Sequence, residues 1–421
     1  MATTLPWGET ITVLMELGFP VNPFTLNDAN LGVLDDDFLD GTLLGDDVSG
    51  YAQQVTINRG RQDQLAQFSA GTCSVTLVNN DRRFDPTNED SPYWDATAGR
   101  TGVQPRRKVT VKLGNDTLFV GRITDIDLSY ARGKSSDLST VTVAAADDFV
   151  LLANASTTAD VTPTEELSGA RLSYLLNLPE VGYAGTTDID TGTATLGAYT
   201  ITANTNALAY AQQIAQAEQG FFFVARDGDL TFTDRATAGF ATVVGAFSDA
   251  QGSEIKYQSL GVVYGQEFLY NKVSATRSGS TPQVANDAGS QTEYGIATLA
   301  LDNLLVSTDA QAQTLANDLL DLYAEPAFRF NDMALLVSSF SAPNRTVCNQ
   351  LELGDTITVE RNYVSGSPAT VTKYQTIDRL SRTITPNAHS LLVGMSEAYL
   401  VYQFVLDDAT YGTLDGDNAV A

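Results

Sequence analysis

Short runs with a two-residue period, broken by polar turns, limit what this chain can fold into more than any other feature. Between Val55 and Trp94, Val55-Thr56-Ile57 and Cys73-Ser74-Val75-Thr76-Leu77 alternate apolar and polar positions, and Gly60 and Gly71 punctuate the link between them. Successive side chains of a strand point to opposite faces, so this alternation predicts a sheet with one face on a core and the other toward solvent. The turn that follows, NNDRRFDP from Asn79 to Pro86, sets Arg82 and Arg83 beside Asp81 and Asp85. Two readings fit it: a phosphate clamp, or a turn in which Asp caps backbone amides while Arg pairs with carboxylate. The second is preferred, because the carboxylates lie within reach in the same turn.

The pattern continues along the chain. Val109 to Leu128 reads as a hairpin with Gly114-Asn115-Asp116 at its tip, and Val141 to Ala145 as a further strand. About five short strands with polar turns predict a first small β-barrel or sandwich over residues 51–155. Residues 156–250 change character and predict an α/β insert: a helix near Leu167 to Leu176, and another with Leu208, Ala211, Ile214 and Ala215 on one face and Gly220 as its cap. A hairpin then turns at Asp227-Gly228. Residues 251–396 predict a second β-barrel carrying one helix, opened by a capping box at Thr308 to Gln311 and facing the core with Ala312, Leu315, Ala316, Leu319, Leu322 and Tyr323. The expected fold is mainly β with an α+β insert and two small β-barrels per chain.

The ends differ from the middle. Residues 1–50 combine a strand from Thr10 to Leu17 with an acidic tract, and residues 397–421 form a second acidic segment. Phe24 to Asp37 (FTLNDANLGVLDDD) and Phe404 to Asp417 (FVLDDATYGTLDGD) are identical at eight of fourteen positions. Apolar residues such as Phe24, Leu26, Phe404 and Leu406 interrupt the aspartates, so these are not solvated acidic tails. They read either as similar strand-turn edges on related domains or as terminal docking arms that reach a neighbouring subunit. The Asp spacing lacks the ligand offsets of an EF-hand, which leaves calcium a minor option.

Charge and chemistry narrow the function by exclusion. Among 421 residues, 24 basic against 51 acidic side chains leave a net charge of −27, which opposes specific binding to nucleic acid or an anionic surface. Cys73 and Cys348 lie far apart and form neither a disulfide framework nor a metal-ligand spacing. No apolar run reaches membrane-spanning length, and the N-terminus lacks a basic n-region, so synthesis as a soluble cytoplasmic product is expected. The one histidine, His389, would have to serve any Ser-His or Cys-His nucleophile system, yet no G-x-S-x-G elbow, HExxH, CxxC or Gly-rich phosphate loop accompanies it. The chain is expected to be no enzyme and to need no cofactor or metal.

Several motifs carry a resemblance to a family. Arg59-Gly60-Arg61, then GTCSVTLVNNDRRFDP from Gly71 to Pro86, then Ser91 to Trp94 (SPYW), resemble the N-terminal barrel of minor tail proteins of long-tailed bacteriophages, especially siphophages of actinobacteria. Ala217 to Arg235 resembles the helix-hairpin insert of tail hub proteins. Ser290 to Gly295, Leu351 to Val359 and Thr383 to Ser396 resemble that family's second barrel. The resemblance implies a structural hub at the tail tip of the virion: a homotrimer whose two barrels per subunit make a pseudo-sixfold ring. Such a ring joins a sixfold tail tube or distal tail protein to threefold tip proteins, and its channel passes the tape-measure protein and then DNA. On that reading Arg82, Arg83 and Asp85 brace the barrel or a subunit contact, and Phe24, Leu26, Phe404 and Leu406 are intersubunit candidates. The competing reading is a host cell-wall recognition module, with glycan bound at residues 157–205, where Tyr174, Tyr183 and Tyr199 are the only aromatics for stacking. A peptidoglycan hydrolase would need the catalytic constellation missing above.

Overall fold

The computed structural model describes residues 3–18, 45–96, 98–130, 139–235, 242–250, 252 and 255–398. Strands dominate it, and fourteen of them share one sheet. In the first half, strands Thr10–Met15, Lys108–Leu113, Asp116–Ser129, Thr140–Ala146, Ser69–Val78 and Ala52–Gly60 follow one another in space, each antiparallel to the next. Their inward positions alternate as the sequence predicts. Val13, Met15, Val55, Ile57, Val75, Leu77, Val109, Val111 and Val141 are buried in one cluster around Phe84 and Phe119. The residues between them face outward, so each strand satisfies its backbone in the sheet and buries a single face.

Strand Thr370–Thr385 organises the rest. One of its edges is divided: Thr370–Thr376 pairs with Thr356–Asn362, and Arg379–Ile384 pairs with Val55–Gly60 of the first half. Between the two lies a register shift at Ile377/Arg379. The extra residue of a bulge bends a strand and increases its twist, which lets one strand serve two partners along one edge. Its other edge holds Ala388–Glu397, followed by Phe328–Leu336 and Ser259–Tyr264. Where the sequence reading expects two barrels, both runs of strands are thus hydrogen-bonded into one continuous curled sheet. Among the described residues neither run closes on itself.

The second core lies on the far side of this strand and takes in the insert. Ile357, Val359, Ile377, Leu391, Val393, Phe330 and Met333 pack in the same cluster as Leu172, Leu175, Ile214 and Phe232. Helices Ser168–Leu176 and Ala207–Glu218 sit where apolar periodicity places them. The second starts on Asn206, whose side chain accepts from Ala209 N at 3.0 Å, and ends on Gln219 in the left-handed region (φ 59°). The cap is therefore Gln219 and not Gly220; Gly220 matters for close approach, since a Cβ there would lie 2.4 Å from Thr233 O. Hairpin strands Phe221–Val224 and Leu230–Thr233 are joined by a three-residue loop, because Ala225 N still bonds Asp229 O at 2.8 Å. The capping box at Thr308 and Gln311 opens helix Asp309–Tyr323, which buries Ala312, Leu315, Ala316, Leu319 and Tyr323. Helix Ala342–Gln350 has no counterpart in the sequence reading: it buries only Cys348 and Asn349, so it has no apolar stripe to detect.

Candidate functional site

The turn after strand Ser69–Val78 is built around Phe84 and Asp85. Phe84 is buried, edge-on to Tyr51 (centroids 5.6 Å) and stacked on Tyr93 (5.9 Å). Its backbone N–H donates to Asn79 Oδ1 at 3.1 Å. Asp85 is 3% exposed and accepts from Tyr130 OH (2.5 Å), Thr87 Oγ1 (2.7 Å), Thr87 N (2.8 Å), Arg82 Nη2 (2.7 Å) and Arg82 Nε (2.9 Å). Burial alone would raise the Asp85 pKa, but the hydrogen bonds from Tyr130, Thr87 and Arg82 outweigh it and hold the carboxyl well below the ordinary range. Arg83 donates to Asp81 Oδ2 from Nε at 2.7 Å, and its guanidinium lies 4.2 Å from the Tyr51 ring centre. Each arginine faces a carboxylate of its own turn.

Asp85→Ala is expected to cost about 2 kcal/mol in urea unfolding, because it removes at once the acceptor of the hydrogen bonds from Tyr130, Thr87 and Arg82. The sign of its pH dependence follows from a folded pKa below the ordinary 3.8. The Asp85 contribution is complete above that value and fades as pH falls below it. The gap between wild type and variant should therefore narrow below about pH 4; a gap that widens there would contradict the assignment.

A second cluster of polar side chains lies where the two halves of the sheet and the insert meet. Arg59, 5% exposed, donates from Nη2 to Glu352 Oε1 (2.6 Å) and to Val224 O (2.7 Å). The other Glu352 oxygen accepts from Arg226 N at 2.7 Å. One carboxylate thus ties a first-half strand to the insert hairpin and to the turn before Thr356–Asn362. Beside it, Arg61 Nε donates to the buried Asp378 at 2.7 Å, with its guanidinium between the rings of Phe68 (4.9 Å) and Phe221 (4.8 Å). Asp147, 4% exposed, accepts from Gly71 N (2.6 Å) and Phe149 N (3.1 Å).

Burial pushes the Asp147 carboxyl up to about 7, and burial, with the Glu352 carboxylate nearby, pushes Asp355 up to about 6. Both values exceed the ordinary 3.8, so between these limits the native chain holds protons that the unfolded chain has released. The contribution of these two carboxyls to stability is then expected to rise as pH falls from about 8 toward about 5, by on the order of 2 kcal/mol or more, and to be lost as pH rises through 6 to 7. His389, whose folded pKa is lowered, opposes this with a loss below pH 6.5. Urea midpoints across that range check this. Asp147→Asn should remove most of the slope, and an unchanged slope in the variant would contradict it.

Two further polar residues form the interior of the insert. Arg171 is completely buried and donates to Glu166 Oε1 (2.6 Å), Tyr210 OH (3.0 Å), Thr164 O (2.8 Å) and Gly197 O (2.9 Å). Glu218 is completely buried and accepts from Ser168 Oγ (2.6 Å), Thr193 Oγ1 (2.7 Å) and Ala194 N (2.8 Å). The sequence reading singles out neither, although helical spacing from Ala207, Ala211 and Ile214 puts Glu218 on the buried face.

The remaining candidates are placed as follows. His389 is fully buried, its ring 6.0 Å from that of Trp7, and neither ring nitrogen has a hydrogen-bond partner. Burial, with the Arg382 guanidinium nearby, lowers its pKa to about 3, so it stays neutral and away from any substrate in water. Cys73 and Cys348 are buried free thiols, and burial pushes Cys348 up to about 12. Tyr174, Tyr183 and Tyr199 are half-buried against the second core; Tyr183 OH donates to Asp148 Oδ2 (3.3 Å) and Tyr199 OH to Val306 O (3.1 Å). Phe24, Leu26, Phe404 and Leu406 lie outside the described residues. Among the described residues no group of three His, Cys, Asp or Glu side chains is arranged to hold a metal, and no helix is long and apolar enough to cross a membrane.

No protein-family model matches the chain, and no curated protein matches it significantly. Solved structures do. A tail protein from Neisseria meningitidis aligns over 92% of this chain and 96% of its own, with a TM-score of 0.59 at 9% identity. The 43 kDa tail protein of prophage MuSo2 from Shewanella oneidensis aligns over 94% of this chain and 100% of its own, with a TM-score of 0.55 at 11% identity. The chain shares its overall fold with these two proteins along nearly its whole length.

Proposed function

We propose that this chain is a structural protein of a bacteriophage tail, acting as a hub at the tail tip. Three copies form a ring that adapts a sixfold tube to threefold tip proteins and lines the channel for tape-measure protein and DNA. The observation that carries this reading is the end-to-end match of fold with two tail proteins, one of them from a prophage. The two halves of the chain act as the two barrel-like units of each subunit, coupled rigidly through strand Thr370–Thr385. Among the described residues the sheet leaves Ser259–Tyr264 as an edge strand, with Val262, Val263 and Tyr264 exposed. An uncovered edge of this kind invites a neighbouring chain, and contact between unlike surfaces closes into a ring when the rotation allows. The DRRFDP turn braces the first unit from within.

A net charge of −27 suits a channel wall. Like charge keeps phosphate from adhering, so DNA passes without stalling. Light scattering on the purified chain tests the assembly: a particle three times the 45.0 kDa chain mass supports the ring. A monomer that persists at high concentration while binding cell-wall fragments would favour host recognition instead.

A further inference from the structure

The free edge of the sheet carries the chemistry that holds arginine elsewhere in this chain. Arg83 pairs with Asp81 and lies over the Tyr51 ring, and Arg61 pairs with Asp378 between the rings of Phe68 and Phe221. Arg361 pairs with Asp249, its guanidinium 5.7 Å from the Tyr363 ring centre. Each time a carboxylate takes the charge and a ring takes the flat face, a combination that suits guanidinium better than ammonium.

At strand Ser259–Tyr264 the same combination stands without an arginine. Tyr264 is 70% exposed, and Tyr294, the last residue of helix Ala288–Tyr294, is 42% exposed. The Glu293 carboxylate chiefly, then desolvation and the nearby charges of Glu325 and Tyr264, raise the Tyr294 phenol above its ordinary pKa, so both rings and both carboxylates share one neighbourhood. Glu293 and Glu325 are exposed, and among the described residues neither forms an ion pair. Arg329, on the strand next to this edge, is committed to Phe268: it lies 4.9 Å over that ring and donates to Phe268 O. The sequence around the site has no arginine to offer, since residues 278–328 hold seven carboxylates and no basic residue.

The first half shows the opposite balance. Residues 96–115 hold five basic residues and no carboxylate, and Arg106-Arg107-Lys108 is the one run of three consecutive basic residues in the chain. Arg106 and Lys108 are exposed and Arg107 is half-buried, and among the described residues none of the three side chains forms an ion pair. Glu16 Oε2 lies nearby, but it accepts from the Lys108 backbone N–H at 3.2 Å. The backbone of this corner is pinned: Arg106 has a φ of 67°, its N–H donates to Ile123 O at 2.7 Å, and Ile123 N donates to Arg107 O at 2.8 Å. A rigid corner that presents arginines and an edge built to receive them do not meet within one chain.

We propose that the edge Ser259–Tyr264 docks a second copy of this chain, which lays Arg106 and Arg107 against Tyr264, Tyr294, Glu293 and Glu325. The two surfaces differ, so each copy offers its corner to one neighbour and its edge to the other, and such contacts close into a ring when the rotation allows. The inference rests on the ring proposed above and names the pair of surfaces that makes it. Opposite charge selects this partner, and the exposed rings give the arginines a face to stack on.

Charge reversal in the full-length chain, followed by light scattering across a range of concentrations, tests it. Arg106→Glu with Arg107→Glu, and separately Glu293→Arg with Glu325→Arg, should each weaken association at least about tenfold while circular dichroism stays that of wild type. The variant with all four changes should recover association, because the reversed charges meet again. If wild type is a trimer and either reversed pair assembles as well as wild type, this contact is overturned while the ring stands. A four-fold variant that is folded but does not recover overturns the contact too. A wild-type chain that stays monomeric at every concentration overturns the ring and this contact with it.

Discussion

Gly60→Ala is expected to be among the most damaging single substitutions in the molecule, costing about 4 kcal/mol or more in equilibrium unfolding. Gly60 has a φ of +118°, which an L side chain rarely adopts, and a Cβ added to it would lie 2.1 Å from Asp378 O and 2.7 Å from Arg379 Cα. Both obstacles are backbone, in the bulged part of strand Thr370–Thr385. Relieving the clash would break the pairing of Arg379 with Gly60 and the 2.9 Å bond from Arg61 N to Asp378 O. The seam that joins the two halves of the sheet would then be opened at its Gly60 end. Gly279→Ala is the control: Gly279 also has a positive φ (74°), but a Cβ there meets nothing within 4 Å. It should cost only about 1 kcal/mol. Equal losses from the two variants would show that the Gly60 contact does not constrain the seam.

Arg171→Met should cost about 3–5 kcal/mol, because it leaves a carboxylate and two carbonyls of a closed interior without their donor. Glu166, Thr164 O, Gly197 O and Tyr210 all converge on this guanidinium, so the loss is expected to loosen the insert ahead of the sheet. Limited proteolysis should cut the variant first within residues 156–205. Arg171→Lys is expected to recover little, since an ammonium cannot span four partners in the plane of a guanidinium. If Arg171→Lys unfolds at the wild-type urea midpoint, planar bridging is not what Arg171 contributes.

Much of the local structure is legible from sequence because its cause is local. The alternation at Cys73, Val75 and Leu77 is set by the two-residue period of a strand, and it appears in the fold with those three buried. The DRRFDP turn is legible for the same reason: Asp81 and Asp85 lie two or three residues from the arginines they hold. The joint between the halves is not legible. It depends on Val55–Gly60 meeting Arg379–Ile384, more than three hundred residues away, across a register shift that no local pattern marks. That strand continues past the shift to Thr385. Continuous pairing through the shift is also why one sheet stands where two barrels are expected. Arg171 and Glu218 escape notice because a charged residue in a helix is ordinarily solvated; helical spacing marks the buried face for Glu218, and the tertiary partners show why a charge is held there.

Copy number and position in the tail test the central proposal most directly. If the chain is the proposed hub, a reconstruction of the phage tail should place three copies of it in a ring on the tail axis. The edge Ser259–Tyr264 should face the next copy, and acidic side chains should line the channel. Copies at the periphery of the tail, a different copy number, or a neutral or basic channel wall would contradict the hub.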